Sequence, residues 1–251
     1  MNSFYSNTDP DSFGFKVMAN GDCALDICFA SPPSEDLSRC IIGIRQSIQK
    51  RDFPGLVDLI PAYQCLTITF DPLTCDRRLL TQQLIELAQG VIESPPRLSR
   101  KPRTISIPVC YEEVFAPDMH TVSEYTKLSR EEIIALHTHP PYLVHMLGFS
   151  PGFLYLGGLD PQLHCPRKHT PRLRISAGAV GIGGSQTGVY PQATPGGWQI
   201  IGQTPISLFH PASDTPCIAE PLDIVKFHPV DITQFEAIRQ SYPRAKYREK
   251  R

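Results

Sequence analysis

The side chains with the greatest chemical capacity fall in one glycine- and proline-rich stretch. Arg167 and Arg172 frame PRKHTPR, Gln186 and Thr187 lie in GGSQTG, and Tyr190, Trp198 and Gln203 follow. A guanidinium at a rim can clamp a carboxylate or phosphate through two parallel hydrogen bonds, and a side-chain amide can recognise a lactam or carboxyl group. The competing reading is structural: each arginine caps the carbonyls of a neighbouring turn while Trp198 and Tyr190 fill the interior of a barrel. The functional reading therefore rests on the cluster and on no single member.

Other chemistries find less support. Gly178, Gly181, Gly183 and Gly184 invite a phosphate loop, but there is no GxxxxGK[ST], and no GxGxxG follows a strand and opens a helix. Glycines at such positions also let strands bend and take positive φ, as a small curved barrel requires. His137 and His139, with His145, His164 and His169, lack the Asp, Glu or Cys that would complete a metal-ligand spacing, so no metal is expected. No GxSxG elbow is present, and Ser150, Ser176 and Ser185 sit beside Gly or Pro as turn residues do. The eight cysteines are scattered without a CxxC pair, as free and mostly buried thiols in a reducing compartment would be.

The elements that must position these residues can be read from periodicity. With 251 residues and 41% hydrophobic content, the chain can bury one large core or two modest ones. Twenty-four basic against 25 acidic residues leave a net charge of -1, which gives neither nucleic acid nor an anionic membrane anything to bind. The basic tail Arg244, Lys246, Arg248, Lys250 and Arg251 reads as a solvated end, and neither a membrane span nor a signal peptide is visible, so a cytoplasmic location is expected.

In the first half, Cys23, Leu25, Ile27 and Phe29 alternate as a half-buried strand. Leu37, Ile41, Ile44 and Ile48 then form a helical stripe behind a Ser34 N-cap, ending before Pro54. Leu56 to Ile60 and Leu66, Ile68 and Phe70 predict a hairpin, Leu80, Leu84, Leu87 and Val91 a second helix, and Ile105, Ile107 and Val109 a last strand. That order predicts a ferredoxin-like βαββαβ unit over residues 12–98, with SPPRLSRKPR (94–103) as linker; the strand after the linker can pair with either domain. The second half predicts helices near Asp118 to Lys127 and after a Ser129/Glu132 capping box, then short strands closing into a barrel or sandwich over residues 104–240.

The segment HMLGFSPGFLYLGGLDPQLHCPRKHTPRLRISAGAVGIGGSQTGVYPQATPGGWQIIGQTPISLF resembles the KipI / allophanate hydrolase subunit 1 family, which includes the B subunit of 5-oxoprolinase. GDCALDICF and IPAYQCLTITFDP extend the likeness more loosely over nearly the whole chain. The resemblance implies an α+β N-terminal domain, a mainly-β cyclophilin-like C-terminal barrel, and one component of an ATP-dependent 5-oxoprolinase. Partner subunits A and C are then expected, 5-oxoproline is the small-molecule substrate, and ATP is bound at the interface with a partner or wholly on it. Within that reading Arg167 and Arg172 would bind phosphate or the substrate carboxylate, and Gln186 and Thr187 would orient the lactam. His145 would move a proton, and Tyr155, Tyr190, Trp198 and Gln203 would line the substrate site. A KipI-type inhibitor of a sensor histidine kinase is the alternative. Two motifs depart from the family pattern: the usual YGGxFGPDL reads Tyr111 to Met119 with Phe115, Pro117 and Asp118 kept, and the usual PGD reads Pro221-Leu222-Asp223.

Overall fold

The computed structural model describes residues 13–241, so the basic tail lies outside the described residues. The chain divides at Lys101/Pro102 into two compact units.

In the first unit, β1 (Phe15–Ala19), β2 (Ala24–Phe29), α1 (Glu35–Gln49), β3 (Leu56–Pro61), β4 (Cys65–Phe70) and α2 (Arg77–Glu93) follow in order. The strands form an antiparallel sheet, β1-β2-β4-β3. Period-two alternation puts Leu25, Ile27, Phe29, Leu66, Ile68 and Phe70 on one face, where they meet the apolar stripes of α1 and α2. Each such side chain stabilises the unit by about 1.5–3 kcal/mol relative to exposure. Both helices begin where a side chain can take up free amides: Ser34 Oγ accepts from Leu37 N–H at 3.1 Å, and Asp76 Oδ1 from Arg78 N–H at 2.8 Å.

The ferredoxin-like βαββαβ order is not what forms. A strand not foreseen, β1, opens the sheet, and the strand expected to close it, β5 (Thr104–Val109), pairs in parallel with β13 (Ile224–Pro229) of the second unit. Packing explains the choice, because Ile107 and Val109 are fully buried in the second unit's core.

The second unit continues with α3 (Met119–Thr126), α4 (Arg130–Thr138), β6 (Tyr142–Leu147), β7 (Leu154–Gly157), β8 (Arg172–Ile175), β9 (Ala179–Gly183), β10 (Gln186–Val189), β11 (Thr194–Gly196), β12 (Gln199–Gln203), β13 and α5 (Ile232–Ser241). The capping box is present, with Ser129 N–H donating to Glu132 Oε2 at 2.8 Å and Glu132 N–H to Ser129 Oγ at 3.2 Å. Seven strands lie in the order β12-β9-β10-β7-β6-β13-β5. Cys110, just past β5, and Gln203, the last residue of β12, exchange two backbone hydrogen bonds of 2.8 and 2.9 Å, so the sheet curls into a nearly closed barrel. Val144, Leu154, Leu156, Val180, Ile182, Val189, Ile201, Val225 and Phe227 fill it. α5 was not foreseen; its one buried residue, Phe235, packs on Phe115 with ring centroids 4.3 Å apart.

A polar chain crosses this apolar core. Thr187 Oγ1 donates to the Gly181 carbonyl at 3.0 Å, leaving it to accept from His137 Nε2 at 2.9 Å, and His137 Nδ1 accepts from the Tyr111 hydroxyl at 2.7 Å. Burial lowers the His137 pKa to about 3 and holds Tyr111 well above the phenolic range, so both stay neutral. Every member is then satisfied.

Candidate functional site

The barrel's second face is built around absent side chains. Along β7, Leu154 and Leu156 point into the core, which leaves Tyr155 and Gly157 on the outer face. On β10, inward Thr187 lies opposite Leu156, so Gln186 falls beside Gly157, and Gly188 beside Tyr155. Across β9, Gln186 pairs with Gly183 and Gly188 with Gly181. Four glycines therefore make one nearly bare patch of backbone.

Two large rings lie on it. The β6–β7 register slips between Val144 and Met146, making His145 the extra residue of a bulge, and its Nε2 sits only 2.1 Å from where a Gly157 Cβ would be. Trp198 lies on Gly183 in the same way, with Nε1 at 2.4 Å from that glycine's absent Cβ, and its ring edge comes 3.1 Å from where a Gly188 Cβ would be. His145 and Trp198 thus flank Gln186. Phe153 and Tyr190 stand edge-on to the indole, at 5.6 and 6.1 Å, and Phe153 meets Tyr155 at 4.9 Å. Arg167 is exposed, and its guanidinium carbon lies 5.8 Å from the indole centroid, a cation–π contact.

Five of the nine residues singled out in the sequence, His145, Tyr155, Arg167, Gln186 and Trp198, thereby come together on one face. This face carries an imidazole and an indole, only 8% and 5% exposed, next to an amide and an exposed guanidinium, residue types that can bind carboxylates and polar rings. Tyr190 backs this face from within, buried except for 3% of its surface, and burial raises its pKa.

The remaining three serve the framework. Arg172 donates from both terminal nitrogens to Asp118, at 2.5 and 2.7 Å, and Lys168 Nζ adds a third bond at 3.1 Å. Asp118, 2% exposed, also accepts from the Ile200 amide at 2.7 Å. Burial alone would raise the Asp118 pKa, but these donors outweigh it and hold the carboxyl below its usual range; the same pair raises Arg172. Thr187 is fully buried in the polar chain under His137, and Gln203 spends its amide on the Ala177 carbonyl at 2.7 Å.

Sequence reasoning passed over four parts of the site: Phe153, Gly157, Gly188 and Phe149. Phe149 is 62% exposed at φ 63°, a left-handed conformation uncommon for an aromatic residue, and it rings the patch 5.5 Å from Phe153. The doublet of Gly-Phe pairs in GFSPGF was the available signal. A cavity of about 470 Å³ lies elsewhere, lined by Tyr111, Met119, His120 and Arg130 among others and by none of the nine residues. Arg130 is committed there to the Tyr111 carbonyl at 2.9 Å.

Comparison with known proteins agrees over nearly the whole chain. Residues 15–219 match the family "Carboxyltransferase domain, subdomain C and D". The B subunit of 5-oxoprolinase from Bacillus subtilis is 37% identical over 90% of this chain and 97% of its own length; that of Escherichia coli O157:H7 is 45% identical over 71% and 80%. The Kluyveromyces lactis urea amidolyase structure superposes with a TM-score of 0.79 at 19% identity, covering 95% of this chain but 16% of that enzyme, a likeness of fold. The chain belongs to the family of 5-oxoprolinase B subunits, built on carboxyltransferase subdomains C and D.

Proposed function

We propose that this chain is the B subunit of an ATP-dependent 5-oxoprolinase and acts with subunits A and C to convert 5-oxo-L-proline to L-glutamate. The observation that carries the reading is the nearly end-to-end match to the Bacillus subtilis relative, 37% identical over 97% of that protein.

An unstrained lactam resists hydrolysis because its oxygen and nitrogen are poor leaving groups, and ATP supplies the activation that makes ring opening possible at neutral pH. This chain's part is to hold and orient the ring. In the proposed arrangement, Arg167 pairs with the substrate carboxylate, the Gln186 amide meets the lactam N–H and carbonyl, and Tyr155 and Trp198 wall the ring. His145, on its bulge beside Gln186, moves the proton exchanged at the lactam. Gly181 and Gly183 do not cradle phosphate in this reading, since the indole covers Gly183 and the segment runs on as strand. Nucleotide binding is assigned to the partner subunits or to a surface shared with them.

The test is reconstitution of the purified chain with subunits A and C, measuring 5-oxoproline-dependent ATP hydrolysis and glutamate release. The expected result is activity that needs this chain, with Arg167→Ala raising KM and His145→Ala lowering kcat in folded proteins. No activity from soluble, correctly paired subunits would overturn the reading and turn attention to a kinase-inhibitor role.

A further inference from the structure

The N-terminal sheet keeps one face for its helices, and its other face gathers sulfur and carboxylate. Leu25, Ile27 and Phe29 on β2, with Leu66, Ile68 and Phe70 on β4, point toward the helices, so Asp26, Cys28, Cys65 and Thr67 share the opposite side. Cys28 lies directly across from Cys65, and Asp26 from Thr67. The two Sγ atoms are 3.6 Å apart, and with an Asp26 carboxylate oxygen they form a set whose members all lie within 4.8 Å of one another. All three residues are half-buried. The carboxylate is held in place from both sides: Thr67 Oγ1 donates to Oδ1 at 2.6 Å and Asn20 Nδ2 to Oδ2 at 3.0 Å.

The separation of the sulfurs selects the chemistry. A metal ion bound at about 2.3 Å to two thiolates spaced as these are subtends an S–M–S angle of roughly 100°, close to tetrahedral. A disulfide, at about 2.05 Å, would require the pair to close by well over an ångström. Two thiolates and an oriented carboxylate are three of the four ligands that a d10 dication takes when it keeps one position for water.

We propose that Cys28, Cys65 and Asp26 form a site for one thiophilic d10 dication, Zn²⁺ or its analogue Cd²⁺, with water as the fourth ligand. Binding replaces two S–H bonds by two metal–sulfur bonds and releases two protons to solvent, and a carboxylate oxygen of Asp26 adds as the third ligand. All three ligands belong to the first unit, so the site does not depend on the function assigned to the second. It escapes the spacing rules for zinc motifs because strand pairing, rather than a CxxC turn, brings the ligands together.

The experiment uses the full chain, reduced and stripped of metal, titrated with Cd²⁺ while sulfur-to-metal charge-transfer absorption is recorded in the ultraviolet. Zn²⁺ is then measured by competition with a chromophoric chelator, and thiol alkylation is mapped with and without metal. One equivalent should bind, protecting Cys28 and Cys65 from alkylation while exposed Cys23 stays reactive. Cys28→Ser and Cys65→Ser should each abolish the absorption, and Thr67→Val, which only releases the carboxylate, should weaken Zn²⁺ about 10-fold. Absorption that survives both serine variants overturns the proposal. So does equal alkylation of Cys28 and Cys65 with and without metal in the unaltered chain, a measurement that does not depend on any variant folding. A pair that oxidises in air to a disulfide and binds no metal when reduced overturns it as well.

Discussion

Gly183→Ala tests whether the indole really lies on bare backbone. The added methyl would stand 2.4, 2.5 and 2.6 Å from Nε1, Cδ1 and Cε2 of Trp198, against the 3.4 Å or more of an ordinary contact, so the ring must lift by about an ångström. It has little room to do so: Trp198 is 5% exposed and is hemmed in by Gly188, Phe153 and Tyr190. Overpacking of this kind costs about 1–3 kcal/mol, less than unfolding requires, so the variant should fold with its melting point lowered by roughly 2–12 °C. Trp198 is the chain's single tryptophan, so its fluorescence reports the site without interference. Emission should shift to the red as the indole leaves its pocket, and in the reconstituted complex KM for 5-oxoproline should rise while association with the partner subunits persists. Unchanged melting and unchanged emission would refute the placement of the indole and, with it, the geometry of the candidate site.

Three further outcomes follow from the same contacts. His137 is neutral in the folded chain down to about pH 3 but titrates near 6.5 once unfolded, so the unfolded state takes up the proton first as pH falls. Stability should therefore drop by about 1.4 kcal/mol per pH unit below about 6.5 until the folded pKa is reached, and urea titrations of His137→Phe should lack that component. Asp118→Asn should cost about 2–4 kcal/mol, somewhat less than the roughly 3–5 kcal/mol of a broken buried pair, because Arg172 and Lys168 keep 31% and 27% of their side chains exposed and can rehydrate. The Asp118 pKa is lowered, so its contribution is present above the ordinary carboxylate pKa and lost as pH falls through the folded value; the Asn variant should show a flatter acid limb in thermal melts. Leu222→Gly should relieve about 1–2 kcal/mol of backbone strain at φ 74° yet remove a side chain only 4% exposed, worth about 2–5 kcal/mol, for a net loss in denaturant unfolding.

Local signals in the sequence were strong where a residue's neighbours along the chain decide its fate. The stripe of Leu37, Ile41, Ile44 and Ile48 and the Ser129/Glu132 box each settle a helix within a few residues, and both are in place. β5 could not be assigned the same way. Its alternation of Ile105, Ile107 and Val109 suits either sheet, and only β13, more than a hundred residues later, offers the edge it takes. The site shows the same division. Arginine and glutamine were visible as residue types, but what separates Arg167 from Arg172 is Asp118, a distant carboxylate that takes the second guanidinium. Cys28 and Cys65 likewise look unrelated until β2 and β4 pair.

The two places where the chain departs from its family's pattern show what fixes those turns. Glycines usual at 112, 113, 116 and 222 are Glu, Glu, Ala and Leu here, and Leu222 nevertheless keeps the left-handed backbone that glycine takes easily. Glycine lowers the cost of such a turn but supplies nothing that enforces it. Enforcement comes from the carboxylate beside each turn. Asp118 accepts the Ile200 amide and binds Arg172 and Lys168, which ties the start of α3 to β12 and β8. Asp223, fully buried, accepts the Arg103 amide at 2.8 Å, the Arg103 guanidinium at 3.0 Å and the Glu220 amide at 3.0 Å, which ties the start of β13 to β5. Each of these bonds to a charged acceptor contributes about 1.5–3 kcal/mol, and the three on Asp223 together exceed the roughly 1–2 kcal/mol of strain at one left-handed residue. A carboxylate so placed can hold the turn after its glycine is gone, whereas a glycine could not hold it after the carboxylate is gone.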